Sequence, residues 1–237
     1  MNRFLIHLVL LLFIHYAMQG QHYSPGYRDA DPDWLDQLIF KGSVWQPRMI
    51  PVTGHEFFLS ADYFDGQVTV AGFRFEELKI KYDIYSDELI VLWNDVQPVV
   101  LERAAVDGFT IGAGNASMIP GKKFINLRDH YRELTGYVEV IHRGKSMVVA
   151  RHTKTIAKNS SLSSYAQYKE KTRYWFISGQ ECRLIRNRRS FLRMLGEYED
   201  DVKRFIRQNH LNVSKFSPEG YGQAAACYDQ LTIMEED

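Results

Sequence analysis

From residue 78 to residue 85 the side chains change character at every step. Leu78, Ile80, Tyr82 and Ile84 alternate with Lys79, Lys81, Asp83 and Tyr85. Successive side chains of a strand point to opposite faces, so this pattern describes a sheet with one buried side and does not fit the period of a helix. Ser86-Asp87 reads as a turn into a second apolar run, residues 88–93. With Tyr85 opposite Glu88, the expected partners are Ile84 with Leu89, Tyr82 with Val91 and Ile80 with Trp93, all on one face. A slip of one residue would send every one of them to the wrong side. The other face carries Lys79, Lys81, Asp83 and Glu88, but also Tyr85, Ile90 and Leu92. If water reaches that face, these three form an apolar-aromatic patch suited to a partner. The competing expectation, favoured by apolar helices later in the chain, is that helices or a second sheet cover it.

Similar short runs separated by turn residues fill much of the chain. They fall at 57–59, at 67–71 after an Asp65-Gly66 turn, at 99–101, 109–111 and 123–127. Two hairpins follow, 137–142 with 145–151 around Arg143-Gly144, and 172–177 with 182–186 around Ser178-Gly179. Aromatics make up 14% of the residues, which favours cross-strand packing over a helical bundle. Residues 158–164 read as a flexible loop. After Asn187 the period changes. Residues 188–195 fit a short helix with Phe191, Leu192 and Leu195 inward. Residues 197–209 place Tyr198, Val202, Phe205 and Ile206 in one stripe. Ser217-Pro218-Glu219 caps and starts a last helix with Tyr221, Ala225 and Tyr228 inward, ahead of a frayed acidic end at 235–237. The expected fold is α+β: an antiparallel β meander, bent into a sandwich or open barrel, with two or three C-terminal helices.

The first residues set the expected compartment. Arg3 precedes an apolar run at 4–14 that only His7 interrupts, and residues 15–20 provide a polar, small-residue exit. This is the order of a secretory signal, and the run falls short of the about 20 apolar residues a span needs. Cleavage is expected after Gly20 or Ala17. Residues 1–20 are then a signal peptide, 21–51 an extension with a short helix at 31–40, 52–187 the β region, and 188–237 helices packed on the same domain. No later apolar segment is long enough to span a membrane. Lys plus Arg and Asp plus Glu both number 29, so no net field favours nucleic acid.

The blocks Gly54-His55-Glu56-Phe57-Phe58-Leu59, Phe64-Asp65-Gly66-Gln67-Val68 and Leu78 through Leu89, then Gly136-Tyr137-Val138-Glu139-Val140, the Gly144-Lys145 turn and Tyr174-Trp175, resemble a family of exported proteins common in Bacteroidota. The likeness runs over residues 52–231. It implies export and a single domain. Its motifs belong to strands and turns, so it transfers no catalytic residue.

Motifs that carry chemistry are few. HExxH, CxxC and EF-hand patterns do not occur, and no metal or cofactor is implied. His130 and Glu133 have helical ligand spacing but read as a solvated turn. His142 and His152 read as surface strand residues. Gly112 to Ser117 echoes a dinucleotide loop, but Pro120-Gly121 follows where a helix is required. No GxSxG is present, and Ser160, Ser161, Ser163 and Ser164 lack a nearby His. Asp83 with Glu88, or Glu102 with Asp107, are the carboxylate pairs that a glycosidase would need. Cys182 and Cys227 could pair after export, although two buried thiols acting as small hydrophobes is the preferred reading. Arg183, Arg186, Arg188, Arg189 and Arg193, with Lys203, Arg204 and Arg207, form a basic run. Glu197, Glu199, Asp200 and Asp201 stand beside it and are expected to neutralise much of it. The expected role is a non-catalytic binding or accessory protein of the envelope whose partner is an envelope protein or glycan. The alternative is an exported hydrolase of carbohydrate or peptide.

Overall fold

The computed structural model describes residues 42–112, 120–128, 130–158 and 166–234. The expected signal peptide, the helix at 31–40, residues 113–117 of the glycine-containing loop, the serines at 160–164 and the acidic end at 235–237 lie outside the described residues. Among the described residues, twelve strands make one open sheet: β1 (Ser43–Val44), β2 (Val52–Thr53), β3 (Phe64–Val70), β4 (Phe73–Asp83), β5 (Glu88–Trp93), β6 (Gln97–Val100), β7 (Val106–Ile111), β8 (Lys122–Asn126), β9 (Tyr137–Arg143), β10 (Ser146–Lys158), β11 (Ala166–Ser178) and β12 (Glu181–Ile185). Their order is β1-β6-β5-β4-β3-β7-β8-β9-β10-β11-β12, so the meander is broken where β7 returns beside β3, where β1 joins β6 at the edge, and where β2 joins β11 off this path. Every pairing is antiparallel except that of β2, which joins β11 in parallel. Three helices close the chain: α1 (Arg188–Met194), α2 (Glu199–Gln208), which follows a 3-10 turn at Gly196–Tyr198, and α3 (Pro218–Met234). The architecture is the expected α+β one. Among the described residues, no helix is long and apolar enough to cross a membrane.

The β4–β5 hairpin keeps the expected faces but shifts the register by two. Tyr82 opposes Leu89, Ile80 opposes Val91, and the ladder ends at Asp83 opposite Glu88. The cause is the Asp83 side chain. Its Oδ1 accepts from Tyr85 N at 2.8 Å and Ser86 N at 3.0 Å, which turns the chain two residues early. Asp87 completes the turn at a left-handed φ of 63°. A slip of two preserves parity, so Ile80, Tyr82, Leu89 and Val91 still face the core.

Other boundaries also differ from expectation. Residues 57–59 form no strand; Phe57 makes only an isolated bridge to Asp83. Asp65-Gly66 is not a turn but lies inside β3, at an irregularity in its pairing with β4. A Cβ at Gly66 would collide with the Ile80 side chain and the Thr110 carbonyl, so the missing side chain lets three strands approach there. β10 and β11 each run 13 residues, well past the apolar segments that predicted them. Beyond His152, their outer ends, paired from Thr153↔Lys171 outward, rest mainly on backbone bonds and cross-strand pairs.

The sheet curls tightly. Lys154 N, on β10, donates to Ile84 O at the tip of the β4–β5 hairpin (2.9 Å), and Phe58 N donates to Tyr82 O (2.8 Å). The curl encloses one core, in which Phe58, Tyr82, Phe109, Phe124 and Tyr137 interlock. A second core forms where the helices lie on β9–β12 and bury Val148, Ala150, Tyr174 and Phe176 against Phe191, Val202, Ile206 and Tyr221. The opposite face of the same strands holds Val149, Trp175 and Ile177 in a third, smaller cluster.

Candidate functional site

Two surface grooves flank α1. Asn187 starts this helix: its side chain accepts from Ser190 N (2.8 Å), while Ser190 Oγ accepts from Asn187 N (3.0 Å). With the phase fixed, Phe191, Leu192 and Leu195 face the core, as expected, and Arg188, Arg189 and Arg193 face water. A groove of about 650 Å³ lies between α1 and β12, bordered by Arg183, Arg186, Ser190, Arg193, Cys182 and Glu133. A second, about 680 Å³, lies on the α2 side of α1, where Arg188, Arg189, Arg193, Lys203 and Arg207 face a single acid, Glu199. Arg193 borders both.

The neighbouring acids neutralise this region less than expected. Glu199 and Asp200 engage Lys203 at 2.7 and 3.1 Å, and Asp201 engages Arg204 at 2.8 Å. Glu181 pairs with Arg183. Among the described residues, Arg186, Arg188, Arg189, Arg193 and Arg207 make no ion pair. The α2 acids reach the bases one turn along their own helix and leave the α1 guanidiniums uncompensated. Nor do the grooves offer a nucleophile. Burial pushes the Cys182 thiol up to about 11, with Glu133 adding to the effect, so it stands protonated at neutral pH.

The richest sets of titratable groups are instead enclosed. Asp87 accepts from Tyr82 Oη at 2.7 Å and Arg151 Nη1 at 2.7 Å, and from Arg103 at 3.1 Å. Gly136, at φ 78°, has no Cβ to obstruct that carboxylate. Burial first, and then the Asp87 charge, raise the Tyr82 hydroxyl well above its usual range. The second set lies at the seam between the two large cores. His152 Nε2 is 2.7 Å from Glu139 Oε2, His152 Nδ1 is 2.9 Å from Thr172 Oγ1, and Lys122 donates to Glu139 at 2.6 Å. Burial alone would raise the Glu139 carboxyl. The hydrogen bonds from His152 and Lys122 outweigh it and hold the group below the usual carboxylate range. The order Thr-His-Glu matches that of a nucleophile, a base and an orienting acid. However, His152 is only 8% exposed and packs on the rings of Phe58 and Phe124. A third carboxylate, Asp229 on α3, lies 2.8 Å from His142 Nε2 and accepts from Ser146 N at 2.9 Å, which ties the helix to the β9–β10 turn.

These pairs correct the reading of both histidines. His142 and His152 are not surface strand residues, because each turns toward a carboxylate that the fold brings under it. Glu139 and Asp229 were not singled out in the sequence. An acid inside the apolar run at 136–140 was the available signal, but linking it to His152 requires the β9–β10 register. Asp83 is wholly buried and serves the turn and Arg48, which reaches it at 3.0 Å. Glu102 is exposed, and Asp107 is engaged by Arg128 at 2.6 Å. His130 and Glu133 are both exposed. Among the described residues, no three His, Cys, Asp or Glu side chains group so as to hold a metal.

Of Tyr85, Ile90 and Leu92, only Tyr85 is exposed, at 40%. Ile90 is 0% exposed and Leu92 is half-buried, so the three share no open surface. The N-terminal segment runs along this side: β1 pairs with β6 at the sheet edge, Trp45 packs on Phe57, and Phe57 bridges Asp83. Tyr85 keeps polar company, with the Arg48 guanidinium 5.0 Å from its ring and Tyr168 edge-on at 5.6 Å. Cys182 and Cys227 are free. Cys182 packs with Trp175 and Ile177, and Cys227 with the helical core, so the sheet stands between them. Compared with known proteins, the chain matches no family model, no curated protein and no solved structure.

Proposed function

We propose that the chain is an exported, non-catalytic binding or accessory protein of the cell envelope. One observation carries the reading: the open grooves are lined by guanidiniums, whereas the acid–base sets that chemistry would need are enclosed in the cores. A guanidinium stays protonated and offers only donors, so such a groove holds an anion and does not transfer a proton. The short apolar run behind Arg3 supports export. Tyr85, exposed beside Arg48, is the second place where a partner could rest.

The alternative, an exported hydrolase, draws on the Thr172-His152-Glu139 order alone. Two measurements test the proposal. Protein recovered from the envelope fraction should begin near Gln21 on N-terminal sequencing; an intact Met1 on cytosolic protein overturns export. The purified protein should release no product from a panel of chromogenic glycosides and peptides. Turnover that disappears in Glu139→Gln would replace binding with hydrolysis.

A further inference from the structure

We infer that the two grooves meeting at Arg193 form one binding track for a linear anionic polysaccharide, a sugar chain carrying repeated carboxylate or sulfate groups. The inference rests on the binding reading above and names its ligand class.

Charge comes first. Five guanidiniums, of Arg186, Arg188, Arg189, Arg193 and Arg207, lie within α1, α2 and the residues just before them without a carboxylate partner among the described residues. Like charges so placed repel one another, and a bound polyanion removes that cost. The choice of base also matters. In the uncompensated set all five are arginine, whose planar fork matches carboxylate and sulfate oxygens in pairs. The one groove lysine, Lys203, is already held by Glu199 and Asp200.

Shape sets the length of the ligand. Each groove, about 650 and about 680 Å³, is far larger than a single small anion. Arg193 lines both, one on each side of α1. Arg189 and Arg193 stand one turn apart, about 6 Å along the axis, so a ligand using both needs charges spaced along a chain. Only a linear polyanion occupies both grooves at once.

The character of the walls selects among polyanions. No aromatic side chain borders either groove, so bases have nothing to stack on, which single-stranded nucleic acid requires. Phe191, Leu192, Leu195, Val202 and Ile206 are buried, and Met194 and Phe205 are half-buried, so the face presents no fully exposed large apolar side chain to push into a bilayer. Charged sugars, held by their anionic groups from outside, need neither.

The test uses the purified protein and a fluorescent heparin-derived octasaccharide, followed by anisotropy. Binding is expected at low salt and should weaken as salt rises. Arg189→Ala/Arg193→Ala should weaken it about tenfold or more, as loss of paired charged contacts does. Arg193→Lys, which keeps the charge but loses the fork, should fall between that variant and wild type. Arg204→Ala, whose base is already paired with Asp201 outside the grooves, should match wild type. All four substitutions are on exposed side chains, and thermal melts confirm that the fold is retained. Equal affinity in wild type and the double variant overturns the inference, as does equal binding of a neutral dextran octasaccharide. Tighter binding of single-stranded DNA or of phosphatidylglycerol vesicles transfers the track to that ligand and also overturns it. Chromatography of the probe after incubation keeps the two readings apart. Cleaved octasaccharide sinks the non-catalytic reading, whereas intact octasaccharide bound without regard to Arg193 sinks only the track.

Discussion

Two halves of one sheet bury their concave side by different means. In β3–β9 the sheet covers itself, and the enclosed space is filled by large rings. Phe109 and Phe124 stack at 4.7 Å, and Phe58 and Tyr82 meet Phe124 edge-on, each at 5.3 Å. In β9–β12 the helices supply the cover, and rings such as Phe176, Phe191 and Tyr221 share the space with small residues, Ala150, Ala224 and Ala225 being fully buried. A curled sheet leaves volume that only bulky side chains fill, whereas a helix laid on a sheet needs small ones to come close. Charge differs in degree. Both halves bury carboxylates, Asp87 and Glu139 in the curled half and Asp229 in the helical one, but the run of arginines without an ion pair lies on the helical half.

The most severe way to break this contrast is to empty the ring-filled half. Phe124→Ala should cost about 3–5 kcal/mol, the range for a fully buried aromatic. Because β9 belongs to both halves of one continuous sheet, urea unfolding followed by fluorescence and by far-ultraviolet circular dichroism should still show one coincident transition. Two separated transitions would mean that the helical half stands alone.

A smaller effect is expected at the seam. Glu139→Gln removes a buried charge from its Lys122 and His152 partners and should cost about 1–3 kcal/mol at neutral pH. The pH dependence has a definite sign. The Glu139 carboxyl is held low in the folded protein, so its contribution is complete above the unfolded value of about 4.3. It is lost as pH falls through the lower folded value. Wild type and variant should therefore converge in stability below pH 4 in thermal melts. A gap that stays constant from neutral to acid pH would show that the ionised form is not what the seam requires.

The mildest change sharpens the helical side. Asn187→Ala removes the α1 cap and should cost about 1 kcal/mol. Amide exchange should quicken in α1 and leave β3–β8 as protected as before. Faster exchange across the whole sheet would erase the distinction between the halves.

What could be read from the chain depended on whether burial wrote a pattern into it. The alternation at 78–85 placed the right side chains inside, because β4 has one buried face there. It could not show that the Asp83 carboxylate would turn the chain early, since that is a local hydrogen bond and leaves parity intact. The outer ends of β10 and β11 carried no one-sided pattern, having little to bury, and so stayed hidden. The arginines of 183–193 were visible as a basic run. Whether acids cancelled them depended on the start of α1, set by Asn187, and on α2 pairing its acids with its own bases. Glu139 and His152 are thirteen positions apart, and only the β9–β10 pairing brings them together.

The carboxylate of Asp229 has a consequence in time. The amide it satisfies belongs to Ser146, more than eighty positions earlier, so a growing polypeptide that has already made the β9–β10 hairpin still lacks the acceptor for that bend. Nearly the whole chain must emerge before the corner is sealed. Until then the corner lacks its acceptor, and the docking of α3 closes it.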